Sequence, residues 1–231
     1  MLAMKQILLG PRGAPTPPLP YDAEVEWISS DGNAWIDTGF VPNGFVPFSM
    51  RCVLGISWVQ SVFFGCRDAD TGMKNPNEIT FFFGCPNNDR RFALKPRVNT
   101  SYYAWNKTAY AGNEYYDGNF HDIQCVESSE SGSYNGYALY VDGSMVPLGV
   151  SASGQNSSNN MTSCALFAFK YGDSAVYVTS PSLGFKIQSL QLGGLDLIAV
   201  RKGQTGYLYD RASGTLFRNA GTGAFLYGND K

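Results

Sequence analysis

The chain has 231 residues and a net charge of −2, from 17 basic and 19 acidic side chains. Hydrophobic residues make up 44% and charged residues only 16%, so a packed core is expected and global disorder is excluded. Nothing builds the positive field of a nucleic-acid binder, and no apolar run is long enough to cross a membrane as a helix.

At the N-terminus, MLAMKQILLGPRG carries the apolar run Ile7-Leu8-Leu9, which is too short for a secretory signal and is broken by Gly10-Pro11. Residues 10–20, GPRGAPTPPLP, hold five prolines and two glycines. Residues 1–20 therefore read as an extended, polyproline-like arm, either a tether or a segment that docks onto a larger assembly.

From Tyr21 the pattern is strand and turn, and residues 21–231 read as a single all-β domain. High glycine (26 residues) and aromatic content (14%) fits that reading. VEWIS (25–29) and AWIDTGF (34–40) flank Ser30-Asp31-Gly32-Asn33, a hairpin-like turn signal. FSMRCVLGI (48–56) alternates apolar and polar side chains, and SVFFGCR (61–67) and EITFFFGC (78–85) are apolar runs of strand length. RRFALKP (90–96) ends at a proline, and SYYAWNKTAY (101–110) is aromatic and polar in turn. In NFHDIQCVES (119–128), Phe120, Asp122, Gln124 and Val126 alternate with His121, Ile123, Cys125 and Glu127. YALYVDG (137–143) closes on an Asp-Gly turn pair, and SASGQNSSNNMTS (151–163) reads as an exposed polar loop. CALFAFKYG (164–172), FKIQSLQL (185–192) and DLIAVRKG (196–203) bring the total to about a dozen strands at the spacing of a β-sandwich. Five cysteines, Cys52, Cys66, Cys85, Cys125 and Cys164, are widely spaced without a CxxC pair. Buried free thiols are expected.

Several segments, in order, carry a resemblance. VEWISSDGNAWIDTGFVPN (25–43), FFGCR (63–67), DGNFHDI (117–123), LYVDG (139–143), LFAFKYG (166–172), FKIQSLQL (185–192) and DLIAVRKGQTGYLYDRASGTLFRNAGTGAF (196–225) together resemble the concanavalin A-like, LamG-type modules of gut-bacterial surface proteins and phage or prophage proteins. The resemblance covers about residues 24–228 and implies a jelly-roll β-sandwich of two antiparallel sheets. It leaves function open, because one fold hosts many activities.

In the closing segment, Asp210 is placed to accept backbone N–H groups from the turn that follows it. Ser213-Gly214 and Gly221-Thr222-Gly223 supply turns, and Leu216, Phe217 and Phe225 supply apolar anchors. This reads as a terminal clasp on the sandwich edge. A phosphate-binding loop would need a helix start after the glycines.

Four kinds of chemistry have candidate residues in the chain. Related jelly rolls include β-glucanases with an E-x-D-x-x-E strand, whose carboxylates act as acid and nucleophile. That motif is absent: Glu24 and Glu26 lack the intervening Asp, and Glu127 and Glu130 have the wrong spacing. The only histidine, His121, would have to serve any Ser-His-Asp or Cys-His site; a half-buried strand histidine bonded to a neighbour is the favoured reading. Asp68 and Asp70, in Arg67-Asp68-Ala69-Asp70-Thr71-Gly72, could offer oxygen ligands to Ca²⁺, although the pattern does not complete an EF-hand loop. The strongest binding signal is aromatic: Tyr102, Tyr103, Trp105, Tyr110, Tyr115 and Tyr116 are interleaved with Asn106, Asn113, Glu114 and Asp117. Flat rings can stack on sugar C–H faces while amides bond the hydroxyls. Tyr102, Trp105, Asn106, Tyr110, Asn113 and Tyr115 are the candidate carbohydrate-binding residues.

The expected function is thus non-catalytic, lectin-like recognition of a glycan, a host-surface polysaccharide or a surface partner, displayed on a virion or a cell surface. The alternative is a purely structural virion protein, a head or tail decoration or fibre component, joined to its neighbours through residues 1–20. A glycoside hydrolase is the least favoured reading.

Overall fold

The computed structural model describes residues 18–54, 61–66, 81–85, 93–95, 103–106, 114–131, 133, 136–151, 162–171, 175–178 and 184–231. For residues 61, 85, 93, 103–106, 149–151, 171 and 175–178 only the backbone is described. Residues 1–17 of the expected arm, most of the 151–163 loop and the Asp68–Gly72 turn lie outside the described residues.

The described strands, numbered in chain order, form two sheets. Across the first lie Ser144–Val146 (β11), Tyr137–Val141 (β10), Phe120–Glu127 (β9), Phe48–Val53 (β4), Lys186–Leu192 (β16), Leu195–Lys202 (β17), Thr205–Asp210 (β18) and Thr215–Phe217 (β19). Ala23–Glu24 (β1) adds to β17, while Ile28–Ser30 (β2) bridges β16 and the last strand, Phe225–Tyr227 (β20). Across the second lie Leu148–Ser151 (β12), Tyr103–Asn106 (β8), Ala93–Lys95 (β7), Phe81–Cys85 (β6), Ser61–Cys66 (β5), Ala165–Leu166 (β13) and Ile36–Asp37 (β3). Ala168–Tyr171 (β14) touches β5 in a single parallel bridge and pairs with Ala175–Val178 (β15); every other pairing is antiparallel. The expected all-β sandwich is the architecture observed. Among the described residues no helix is long and apolar enough to cross a membrane.

Alternation along each strand decides what is buried. In β4, Phe48, Met50 and Cys52 turn inward while Ser49 and Arg51 stay half-exposed; in β9, His121, Ile123 and Cys125 are buried and Asp122 and Gln124 exposed. The facing sheet contributes Phe63, Phe64, Phe81, Phe83 and Leu94. Rings interlock across the gap: Phe48 meets Phe64 edge-on at 5.0 Å and Phe83 at 5.2 Å, and Phe63 stacks on Phe185 at 4.3 Å. Two irregularities put consecutive residues into this core. A register shift between Val62 and Phe64 allows both Phe63 and Phe64 to point inward. Phe167 has a φ of 59°, rare for a bulky residue; the kink separates β13 from β14 and buries Phe167 beside Leu166.

One local expectation changes. Ser30–Asn33 does form a turn, but β2 belongs to the first sheet and β3 to the second, so the two runs do not pair as a hairpin. The Asp142-Gly143 turn does close a hairpin, β10–β11, with φ of 50° and 77°, the left-handed pair that a two-residue loop requires. Cys52, Cys66, Cys125 and Cys164 are buried thiols outside any disulfide, and burial pushes the thiols of Cys52, Cys66 and Cys125 well up.

Candidate functional site

Where strands lie side by side, their outward residues line up in rows. One row on the outer face of the first sheet runs Tyr140, Gln124, Ser49, Gln191, Asp196 over β10, β9, β4, β16 and β17. Four strand spacings give it a length of about 19 Å. Beside it runs a second row, Asp122, Arg51 and Ser189. All of these but Tyr140 floor an open trough of about 580 Å³, bordered by Asp142, Gly143 and Arg211.

The polar groups of the trough are tied to one another. Arg51 Nη1 donates to Asp122 Oδ2 at 2.7 Å, and Arg211 forms a two-pronged pair with Asp196 at 3.0 and 2.9 Å. Ser49 Oγ donates to Gln191 Oε1 at 3.1 Å. Exposed ion pairs of this kind add little to stability, but forked guanidinium–carboxylate contacts fix direction. Gln124 is exposed at the centre of the floor, and its amide offers both donors and an acceptor. With both arginines paired to aspartates, the trough presents local dipoles with little net field.

At the end of β9 the chain builds a clamp. His121 Nδ1 donates to Asp142 Oδ2 at 2.7 Å and Nε2 to Asp117 Oδ1 at 3.1 Å. Two carboxylate acceptors, one on each ring nitrogen, require the imidazolium. Burial opposes that charge, but the Asp142 and Asp117 bonds outweigh it and raise the His121 pKa. Asn119 holds Asp117 down to about 2, with help from His121. Asp142 is also lowered, because its bonds to His121 and to the Asp122 N–H outweigh its burial. The expected strand histidine bonded to a neighbour is thus found, with two neighbours in place of one.

The sign of each shift sets a pH window. A raised histidine contributes fully below the ordinary imidazole value and loses its contribution as pH rises through its own. Lowered aspartates contribute above the ordinary carboxylate value and lose theirs as pH falls. Melting temperature is therefore expected to be highest between roughly pH 4 and 6.5 and to fall on both sides. His121→Gln should flatten the alkaline limb; an unchanged limb in that variant would assign the loss to other groups.

The sequence-based site residues are scattered. Tyr115 is half-buried, packs against the core and meets His121 edge-on at 5.7 Å. Burial and the neighbouring Glu114 push its hydroxyl up to about 12. Trp105 lies in β8 opposite Ala93 and Gly149, and Asn106 opposite Leu148; their side chains lie outside the described residues, as do Tyr102, Tyr110, Asn113, Asp68 and Asp70. Among the described residues no three His, Cys, Asp or Glu side chains gather as a metal site would need. The trough escaped the sequence reading because its residues come from distant strands. The available signal was the polar half of each alternation: Ser49 and Arg51, Asp122 and Gln124, Ser189 and Gln191.

Compared with known protein families and with curated proteins, the chain matches no family model and no curated protein.

Proposed function

We propose that the protein is a non-catalytic recognition module that binds a neutral carbohydrate along the outer face of its first sheet. The observation that carries this reading is the trough of about 580 Å³ with mutually fixed acids, amides and guanidiniums on its floor. A sugar hydroxyl both donates and accepts, so it pairs well with Asp acceptors, Arg donors and the two-sided amides of Gln124 and Gln191. Preset direction lowers the ordering cost of binding. An elongated row suits an oligomer better than a single sugar. Hydrolysis is disfavoured because a general acid needs a raised pKa, whereas Asp142 at the trough's border is lowered, as is Asp117 across His121 from it. The resemblance to LamG-type modules, and display on a virion or cell surface, fit this reading.

A glycan array followed by calorimetric titration is the test. Gln124→Ala and Gln191→Ala are each expected to weaken binding about tenfold, the scale of one lost hydrogen bond of about 1.4 kcal/mol, without lowering the melting temperature. Trp105→Ala is the control for the aromatic alternative. A loss near thirtyfold there, about 2 kcal/mol, with both glutamine variants neutral, would move the site to the second sheet. Absence of glycan binding at millimolar concentration would sink the carbohydrate reading and leave structural assembly into a larger particle in its place.

A further inference from the structure

The outer face of the first sheet changes character along its strands. Beside the charged row of Asp122, Arg51 and Ser189 lies the amide row of Gln124, Ser49 and Gln191. Two residues further along each chain, about 7 Å on, come Val126, Pro47 and Gly193. Val126 is 37% exposed, and Pro47 and Gly193 are exposed as well, so this third row is open to solvent. With Gly194 and Leu195 it lines a hollow of about 550 Å³, which shares Ser49, Gln124, Gln191 and Asp196 with the trough. The turn from β16 to β17 ends the hollow in bare backbone. Gly193 and Gly194 have φ of 55° and 92°, and a Cβ at Gly193 would fall on the Phe40 ring. One continuous surface therefore passes from ion pairs to amides to apolar groups within about 14 Å.

The amides at the middle of this gradient suit a particular partner. Gln124 and Gln191 flank Ser49, which puts their strands about 10 Å apart. The Ser49 hydroxyl donates to Gln191 Oε1 at 3.1 Å, which fixes that amide, and its Nε2 is a donor. The exposed Gln124 amide can supply an acceptor across the gap. A sugar hydroxyl gains nothing from an apolar row beside such a pair. An acetamido group does: its carbonyl oxygen accepts, its N–H donates, and its methyl is the apolar part.

We propose that this face selects N-acetylated amino sugars. The sugar rings lie over the trough, the acetamido carbonyl and N–H bond to Gln191 and Gln124, and the methyl rests on Val126 and Pro47. The inference rests on the trough being a carbohydrate site, and adds the chemical class of the carbohydrate. An O-acetyl ester lacks the N–H, and an unsubstituted sugar lacks the methyl.

The test is calorimetric titration of the full chain with three β-1,4-linked tetramers: of N-acetylglucosamine, of glucose and of glucosamine. They share a backbone and differ at one position of each ring. The acetylated tetramer is expected to bind at least tenfold more tightly than the glucose tetramer, the combined scale of one buried methyl and one hydrogen bond. The glucosamine tetramer keeps the nitrogen but loses the acetyl group, and should show no such gain. Val126→Asp is expected to bring the ratio of acetylated to glucose tetramer close to one. If that variant fails to fold, Val126→Thr keeps the shape and should cut the ratio about threefold, since it replaces a methyl by a hydroxyl. Equal affinities for the acetylated and glucose tetramers would overturn the inference and leave the trough as a carbohydrate site. A gain shown equally by glucosamine, or a ratio that Val126 substitutions do not move, would also overturn it. If neither the acetylated nor the glucose tetramer binds, the inference falls, and the glycan array decides the trough separately.

Discussion

Asp210→Ala is expected to destabilise the protein by about 4 kcal/mol and lower its melting temperature by about 10 °C. The carboxylate is 2% exposed and accepts four bonds. Oδ1 takes the Asp196 N–H at 2.8 Å and the Ala212 N–H at 3.1 Å, while Oδ2 takes the Ser213 N–H at 3.2 Å and the Ser213 hydroxyl at 2.6 Å. Alanine would strand three backbone donors where β17 and β18 meet the turn leading to β19. Asp210→Asn should recover little, since an amide offers one acceptor oxygen and turns donors toward donors. Burial works against the charge, but these bonds outweigh it and lower the Asp210 pKa. Its contribution is therefore present above the ordinary carboxylate value and lost as pH falls through the lowered one. Chemical denaturation at pH 7 and pH 3 checks both points: the gap between wild type and Asp210→Ala should narrow in acid. A loss below 1 kcal/mol at pH 7 would mean that water replaces the carboxylate.

Gly221→Ala is expected to cost about 3 kcal/mol, at the upper end of what overpacking does, and to be felt at both ends of the chain. A Cβ at Gly221 would fall on the Asn33 carbonyl oxygen, and one at Gly223 on the Asp31 carboxylate. Backbone cannot swing aside as a side chain can. The two loops are also bonded: Asp31 Oδ2 accepts the Ala224 N–H at 2.7 Å, Asn219 Oδ1 accepts the Trp35 N–H at 3.1 Å, and Thr222 N–H reaches Asn33 O at 3.1 Å. Gly203→Ala is the matched control, because its Cβ would meet open space and suffer only from a φ of 60°, a penalty of about 1 kcal/mol. Equal melting temperatures for the two variants would show that the contact between loops carries no special weight.

What the sequence discloses follows the range of the interaction. Asp210 and its turn were legible because donor and acceptor lie within three residues. The strands were legible too, since alternation in FSMRCV and FHDIQCVE is a property of each segment alone. The turn at Ser30–Asn33 was misleading for the same reason: Asp31 accepts the local N–H groups of Asn33 and Ala34 whether or not the flanking runs pair. Pairing itself was hidden. Arg51 and Asp122 meet only because β4 lies beside β9, and nothing in either segment names the other. The segment 209–225, which holds β19, the end of β18 and the start of β20, reads as a clasp because glycine and polar residues interrupt its short apolar runs. Lys95 sits in a run that ends at a proline, and nothing in that run discloses that it is buried.

The knitting of β2 to β16 and β20 also constrains how the chain can be made. Ile28 is bonded in register to Ile187 and Tyr227, and Glu24 O accepts the N–H of Lys231. The first strands thus have no partner until the last have left the ribosome, a wait of roughly 10 to 40 s at common synthesis rates. During that interval VEWIS is an unpaired apolar segment, exposed to wrong partners. Loop closure over nearly the whole chain must then come before the contacts that reward it, which makes folding slow. A chain cut short before Phe225 would release a first sheet with its opening strand unpaired along one edge.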